Sequence, residues 1–345
     1  MSGPGAPVLA NIPDDETSMK PLMKLAAAAL MLATAALSAT AHAQASDYPN
    51  KPIKMVIAFP PGGPTDVNAR QFAQVMSESL GQPVVVENRP GAGGNIASSA
   101  VMAAPNDGYT ILYNTSSLVL GALLYHSAKH DPLKDFAPVA RTVATPLVLT
   151  VNPALPVKNV RDLIALAKKE PGKLNYASSG AGVIDHLATA MMATRLDIKI
   201  EHVPYKGTAP ALTDLVGGNT QMFLTTINTV LPFVKDKRLT ALAVASRARS
   251  PLLPDVPTLS EATGLSDLEM TAWNGLVAPA GTPPAIVAKL NAAVNSALAQ
   301  PAFQEKMRAM GVEMHGGTPA EYAAFLASEV KRLGDAIQRA GVPKQ

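Results

Sequence analysis

The chain has 345 residues, 48% hydrophobic and 16% charged, which is enough apolar material for buried cores and too much for intrinsic disorder. A net charge of +3 without long charge runs, with only 4% aromatic residues, offers no basic, aromatic-interleaved stripe for nucleic acid. Cysteine is absent, so thiol nucleophiles, cysteine zinc sites, disulfides and a lipidated cysteine anchor are excluded.

The chain opens with a segment that reads as an export signal. Lys20 and Lys24 form a positive start, residues 25–37 are apolar, and Ala41-His42-Ala43 and Ala43-Gln44-Ala45 offer small-x-small cleavage sites. The apolar run is well short of the ~20 residues that span a bilayer, so a cleaved signal is expected and not an anchor. Residues 1–18 lie upstream of that complete signal and read as an over-extended start, with Met19 or Met23 as the true one. Residues 1–45 are therefore set apart from the mature protein, which is expected in the periplasm.

Beyond it, short β-type runs alternate with helical patterns, the signature of βαβ units and largely parallel sheets. Strands are expected at 53–59, 84–87, 109–113, 147–151, 174–177, 201–204, 222–224, 239–245 and 275–278. Residues 67–80 place Phe72, Val75, Met76 and Leu80 on one helical face, and 160–169 repeats the pattern. Helices are also expected from Pro284 to Ala299 and over 319–340. The alternation occurs twice, and the tail after 272 is helix-rich with too few strands for its own sheet. The fold class expected is therefore α/β with two lobes. Residues 46–145 and 272–345 form one, 146–271 the other, and two crossing segments make a hinge.

Three loops stand out. Phe59-Pro60-Pro61-Gly62-Gly63-Pro64-Thr65-Asp66 joins a strand to a helix, with prolines that stiffen the exit and glycines that bare the backbone. Thr65 or Asp66 is expected to cap the helix, leaving N–H groups to cradle an anion at the carboxyl end of a strand. Ser178-Ser179-Gly180-Ala181-Gly182, before a helix starting near Asp185, repeats that logic in the other half. Thr115, in the loop after 109–113, is expected to line the same cleft. The run Asn88–Asn95 superficially suggests a dinucleotide loop, but Pro90 interrupts it and Ile96 stands where the third glycine belongs.

Enzyme signatures are missing. There is no G-x-S-x-G elbow, no H-E-x-x-H and no phosphate-loop sequence. His126 and His130 have helical spacing but lie in a polar loop, and His186 reads as a packing histidine. No metal, cofactor or catalytic residue is expected.

With these residues on the page, the chain resembles the Bug-type solute-binding receptors of tripartite tricarboxylate transporters. The resemblance covers about 48–343 and is carried by YPNKPIKMVIAFPPGGPTDVNAR, GQPVVVENRPGAGGN, DGYT, DPLKDFAPVA, KLNYASSG, HVPYKGTAPALTDLVGG, LPDVPTLSEATG and LVAPAGTPP. It implies a type II periplasmic binding protein fold, with two lobes, a cleft and two hinge segments. It further implies a carboxylate held by Phe59, Pro60, Gly62, Gly63, Thr65 and Asp66 on one lobe and by Ser178, Ser179 and Gly180 on the other. Tyr205 is expected beneath them. The implied partner is a membrane transporter of one large and one small subunit, with the receptor itself a monomer.

Two departures bear on the ligand. Thr225 and Thr226 stand where family members often carry an acid, which argues against the ammonium of an amino acid unless Asp185 substitutes for that acid. Ala181-Gly182-Val183-Ile184 is more apolar than usual, which suits a ligand with an apolar or aromatic middle. The leading expectation is a receptor for a small organic carboxylate. Other readings of the same residues are a ligand sensor for a signalling partner and an exported enzyme acting on a small acid.

Overall fold

The computed structural model describes residues 47–345, of which 49–345 form one compact unit. The expected export signal and its upstream extension lie outside the described residues. No described helix is long and apolar enough to cross a membrane.

The elements alternate as the hydrophobic pattern requires. Strand β1 (Ile53–Ile57) leads through the proline-glycine loop into α1 (Pro64–Leu80), and β2 (Val84–Asn88) and α2 (Asn95–Met102) follow. Next come β3 (Thr110–Thr115), α3 (Ser117–Leu124) and the long β4 (Phe136–Val151). The middle of the chain carries α4 (Val160–Lys169), β5 (Asn175–Ser178), α5 (Ile184–Leu196), β6 (Glu201–Pro204), α6 (Thr208–Gly217) and β7 (Met222–Thr226). Then follow α7 (Ile227–Lys235), β8 (Thr240–Val244), α8 (Leu259–Thr263) and β9 (Thr271–Pro279). The chain ends with α9 (Pro284–Ala299), α10 (Pro301–Ala309), β10 (Glu313–Gly316) and α11 (Pro319–Ala340).

These ten strands form one curled sheet in the order β2-β1-β3-β9-β4-β7-β5-β6, with β10 and β8 also pairing β4. Strand β4 organises it. Its first part, Phe136 to Pro146, runs antiparallel to β9 and β10, and its last residues, Leu147 to Val151, run antiparallel to β7 and β8. Parallel ladders join β1 with β2 and β3, and β5 with β6 and β7. The sheet is thus mixed, which corrects the expectation of largely parallel strands. The physical cause is the long β4–β9 ribbon, in which both strands run through the middle of the sheet in opposite directions.

The first part of β4 escaped the sequence reading because Pro138 and Pro146 interrupt it, and a proline cannot donate to a ladder. A register shift follows Pro138 and another follows Arg141, while Pro146 stands opposite Thr271 at the end of the β9 ladder. Strand β10 was hidden by its polar, glycine-ended sequence. It pairs only with β4.

The helices bury the faces that their periodicity marks. Helix α1 buries Phe72, Val75 and Met76, and Phe72 meets Phe303 of α10 edge-on at 4.9 Å. Helix α9 packs on α1 and β4, returning the tail to the first part of the sheet. Helix α11 goes further than expected: it packs on β4 and α3 but also on α5 from the other part of the chain. Its capping box (Thr318 and Glu321) sets its start, and Gly341 in the left-handed region ends it.

Candidate functional site

The carboxyl ends of β1, β3, β5 and β7 converge on a cleft of about 790 Å³, open mouth included. One wall is the first loop, through Phe59, Pro60, Gly63 and Thr65, continued by Asn68 one turn into α1. Thr115 at the end of β3 and Ser117 at the start of α3 extend it. The facing wall is Ser179, Val183, Ile184 and Asp185 of the second loop, with Gly207 and Thr208 ahead of α6 and Thr225 at the end of β7. The floor is the central ribbon, with Thr145 and Leu147 from β4 and Trp273 and Asn274 from β9.

The first loop is built to hold still. Gly63 is the N-cap of α1 in an extended conformation, and Pro64 occupies the first helical position. Neither Thr65 nor Asp66 caps the helix, which corrects that expectation. Asp66 turns back instead. Its carboxylate accepts the Gly62 N–H at 3.0 Å, Asn88 Nδ2 at 3.0 Å and Arg70 Nη2 at 2.9 Å. Gly62 sits at φ 83°, a conformation that disfavours a side chain, and that turn points its N–H at Asp66. Burial pulls the Asp66 carboxyl upward, but hydrogen bonds from Arg70, Asn88 and Gly62 outweigh it and hold the group below the usual carboxylate range. The first-turn N–H groups of α1 have no intrahelical acceptor and lie beside the cleft, a ready place for an anion.

The second loop differs. Ser178 is fully buried, and its hydroxyl donates to the Gly180 carbonyl and meets His202 Nε2 at 2.6 Å. The Ser179 N–H donates to Asp185, and its hydroxyl donates there too. The Gly182 N–H donates to His186 Nδ1 at 3.0 Å. Val183 is the N-cap of α5, and Asp185, near which the helix was expected to start, lies in its first turn and reaches back to the loop. Burial pushes the Asp185 carboxyl up to about 6 despite the Ser179 bonds.

Of the residues that sequence singled out, Phe59, Pro60, Gly63, Thr65, Thr115, Ser179 and Thr225 line the cleft. Gly62 and Asp66 stand behind the first loop and shape it, while Ser178 lies under the second. Gly180 and Tyr205 line a neighbouring recess of about 900 Å³ that shares Phe59, Pro60, Ser179 and Gly207 with the cleft. The Tyr205 hydroxyl donates to Asp214 at 2.6 Å. Sequence reasoning missed Asn68, Trp273 and Asn274. Asn68 falls three residues after Thr65, on the same helical face, and that spacing was the available signal.

His186 is a packing residue with a polar task. Its ring stacks on His202 at 3.9 Å, and that ring in turn stacks on Tyr176 at 4.9 Å. Burial holds both histidines down to about 4, with the neighbouring His202 adding to the effect at His186. His130 Nε2 meets the Leu118 carbonyl at 2.8 Å, away from His126. Among the described residues no cluster of histidine and acid side chains suits a metal.

These groups set the acid response. A histidine held below its unfolded value near 6.5 contributes stability that is complete above pH 6.5 and disappears as pH falls toward 4. Asp185, raised above its unfolded value, acts in the opposite sense: its contribution is present at low pH and is lost as pH rises through about 6. The two histidines, with His315 likewise held down to about 4 by burial and Arg141, outweigh one aspartate. After solvent screening at the half-exposed His202, the unfolding free energy is expected to fall by about 1–3 kcal/mol between pH 6.5 and 4. Calorimetric melting against pH checks this. Asp185→Asn is expected to steepen the acid loss and His202→Gln to flatten it; a profile unchanged by both overturns the assignment.

An α/β sheet curled around a cleft, with anion-ready backbone at the strand ends, is the arrangement of a protein that holds a small anionic solute. Residues 68–342 match the sequence profile described as the tripartite tricarboxylate transporter family receptor, and the chain belongs to that family. Among solved structures it is similar to R. palustris Rpa4515 with adipate, at 36% identity and a TM-score of 0.83, covering 86% of this chain and 99% of that one. It is equally similar to the periplasmic binding protein BugD, at 36% identity and a TM-score of 0.82, covering 86% and 100%. MatC from Rhodopseudomonas palustris with bound malate follows at 33% identity and a TM-score of 0.80, covering 84% and 100%. The family is one of receptors, BugD is a periplasmic binding protein, and the fold of this chain is that of the periplasmic binding proteins.

Proposed function

We propose that this protein captures a small organic carboxylate, other than an amino acid, in the cleft and delivers it to a two-subunit membrane transporter. The observation that carries the reading is the first loop, whose uncapped α1 N-terminus is held rigid behind by Asp66 while Thr65 and Gly63 face the cleft. The carboxylate docks there, with Phe59, Pro60 and Thr115 beside it. Ser179 and Thr225 face it, backed by Ser178, Gly180 and Tyr205. Residues 46–145 with 272–345 act as one lobe and 146–271 as the other, closing about β4 and β9. The family to which the chain belongs and the diacids named with two of its neighbours support this assignment. The neutral Thr225 and Thr226 at the end of β7 support a ligand without an ammonium. Export through the signal at residues 19–45 places the mature chain, a monomer, in the periplasm.

A thermal-shift screen of the chain from Ser46 against organic acids, amino acids and sugars tests the reading. A carboxylate is expected to raise the melting temperature in proportion to the logarithm of its concentration, by mass action on the folded state. It is also expected to survive incubation unchanged. Stabilisation by sugars or amino acids alone, or turnover of the acid, would overturn it.

A further inference from the structure

The second loop looks like an anion cradle but is already filled. The Ser179 N–H lies 3.1 and 3.2 Å from the two Asp185 carboxylate oxygens. Gly180 N–H is 3.3 Å from Ser178 Oγ, and Gly182 N–H is 3.0 Å from His186 Nδ1. The Ser179 hydroxyl donates to Asp185 and also meets Thr208 Oγ1 at 2.9 Å. At the start of α5, where an incoming anion would settle, the chain has put its own carboxylate. Asp185 is only 4% exposed and lines the cleft. A ligand carboxylate brought to this wall would meet a buried like charge and find the loop's donors engaged.

The opposite wall asks for something different. Asn274 Nδ2 donates to the Asn114 carbonyl at 3.5 Å, so its oxygen faces α1 and accepts Asn68 Nδ2 at 3.3 Å. That fixes which way the Asn68 amide points. Asn68 Oδ1 is left buried with no hydrogen-bond partner, on a residue that lines the cleft and is 1% exposed. A buried acceptor without a donor is unfavourable, and a ligand hydroxyl placed beside it would remove that cost.

We propose that the cleft selects a hydroxy-substituted monocarboxylate. The carboxylate sits at the N-terminus of α1, the hydroxyl donates to Asn68 Oδ1, and the apolar body lies against Leu147, Val183 and Ile184. Asp185 is the residue that excludes a second anionic group. This inference rests on the carboxylate-receptor reading and separates the chain from its neighbours solved with the diacids adipate and malate.

The test is titration calorimetry of the chain from Ser46 with hexanoate, 2- and 3-hydroxyhexanoate, 2-aminohexanoate and adipate. The better hydroxyhexanoate is expected to bind about tenfold tighter than hexanoate, with adipate weakest. Asn68→Ala is expected to shrink the hydroxyl preference to about threefold or less. Asp185→Asn is expected to raise the affinity for adipate relative to hexanoate about tenfold. Asp185→Ser serves the same purpose if the asparagine variant fails to fold, and the wild-type ranking needs no variant. Adipate or the amino acid binding tightest to wild type, or a hydroxyl preference untouched by Asn68→Ala, overturns the selectivity while leaving a carboxylate receptor standing. Absence of binding by any acid, in this panel and the wider screen, removes both.

Discussion

Trp273→Ala is expected to lower the melting temperature by about 5–8 °C, from a loss of about 3–5 kcal/mol. The indole is 1% exposed at the centre of the β4–β9 ribbon. It meets Phe325 and Tyr322 of α11 edge-on at 5.2 and 6.4 Å, so its removal opens a void between sheet and closing helix. Its Nε1 also donates to Glu329 at 2.6 Å, and Glu329 is buried and paired with Arg332. Trp273→Phe keeps most of the packing and leaves Glu329 short of one donor, so it should lose only about 1–3 kcal/mol. Calorimetry of the two variants separates the packing from the hydrogen bond. Because Trp273 also lines the cleft, the alanine variant should bind its ligand more weakly even well below its melting temperature. Equal losses for both variants would show that the hydrogen bond, and not the void, dominates.

Asp66→Ala should be the most damaging change to ligand binding that does not touch the ligand. The carboxylate holds three groups, but they are unequal. Arg70 is half exposed, so its ion pair is screened and contributes little. The bonds from Gly62 N–H and Asn88 Nδ2 are the better shielded ones, and each lost charge-assisted bond costs about 1.5–3 kcal/mol. The expected result is a loss of about 2–4 kcal/mol of stability and roughly a hundredfold weaker binding, as the first loop loses its fixed shape. Asp66→Asn retains an acceptor and should recover part of both. Calorimetric titration with the best acid from the screen measures the effect. Affinity retained within about threefold in Asp66→Ala would mean that the loop holds its shape without the aspartate.

How much of this was legible from the residues depends on the range of the interaction. The Phe59–Asp66 loop could be read because its prolines and glycines fix backbone torsions locally, whatever surrounds them. The amphipathic face of α1 is equally local, and Phe72, Val75 and Met76 are buried as their spacing demands. The first part of β4 was not legible, because Pro138 and Pro146 interrupt its pattern and its pairing depends on β9, which lies more than 120 residues on. The cap assignments failed for a related reason. Asp66 and Asp185 have the right side chain at the right place for capping, yet each turns back to donors on its own loop, Gly62 in one case and Ser179 in the other.

The sequence by itself therefore determined the α/β class, most of the element order, the three loops that approach the cleft and the absence of familiar catalytic motifs. All of these rest on periodicity, torsional preference or residue type, which act within a few positions of the chain. Tertiary structure alone decided the mixed direction of the sheet, the placing of Trp273 and Asn274 on the cleft floor, and which polar groups arrive there unpaired. Asn68 shows why. Whether its oxygen is satisfied depends on Asn274, 206 residues away in sequence, and on Asn114, which orients Asn274. Hydrogen-bond saturation is a property of the folded neighbourhood, and no local pattern in the chain encodes it.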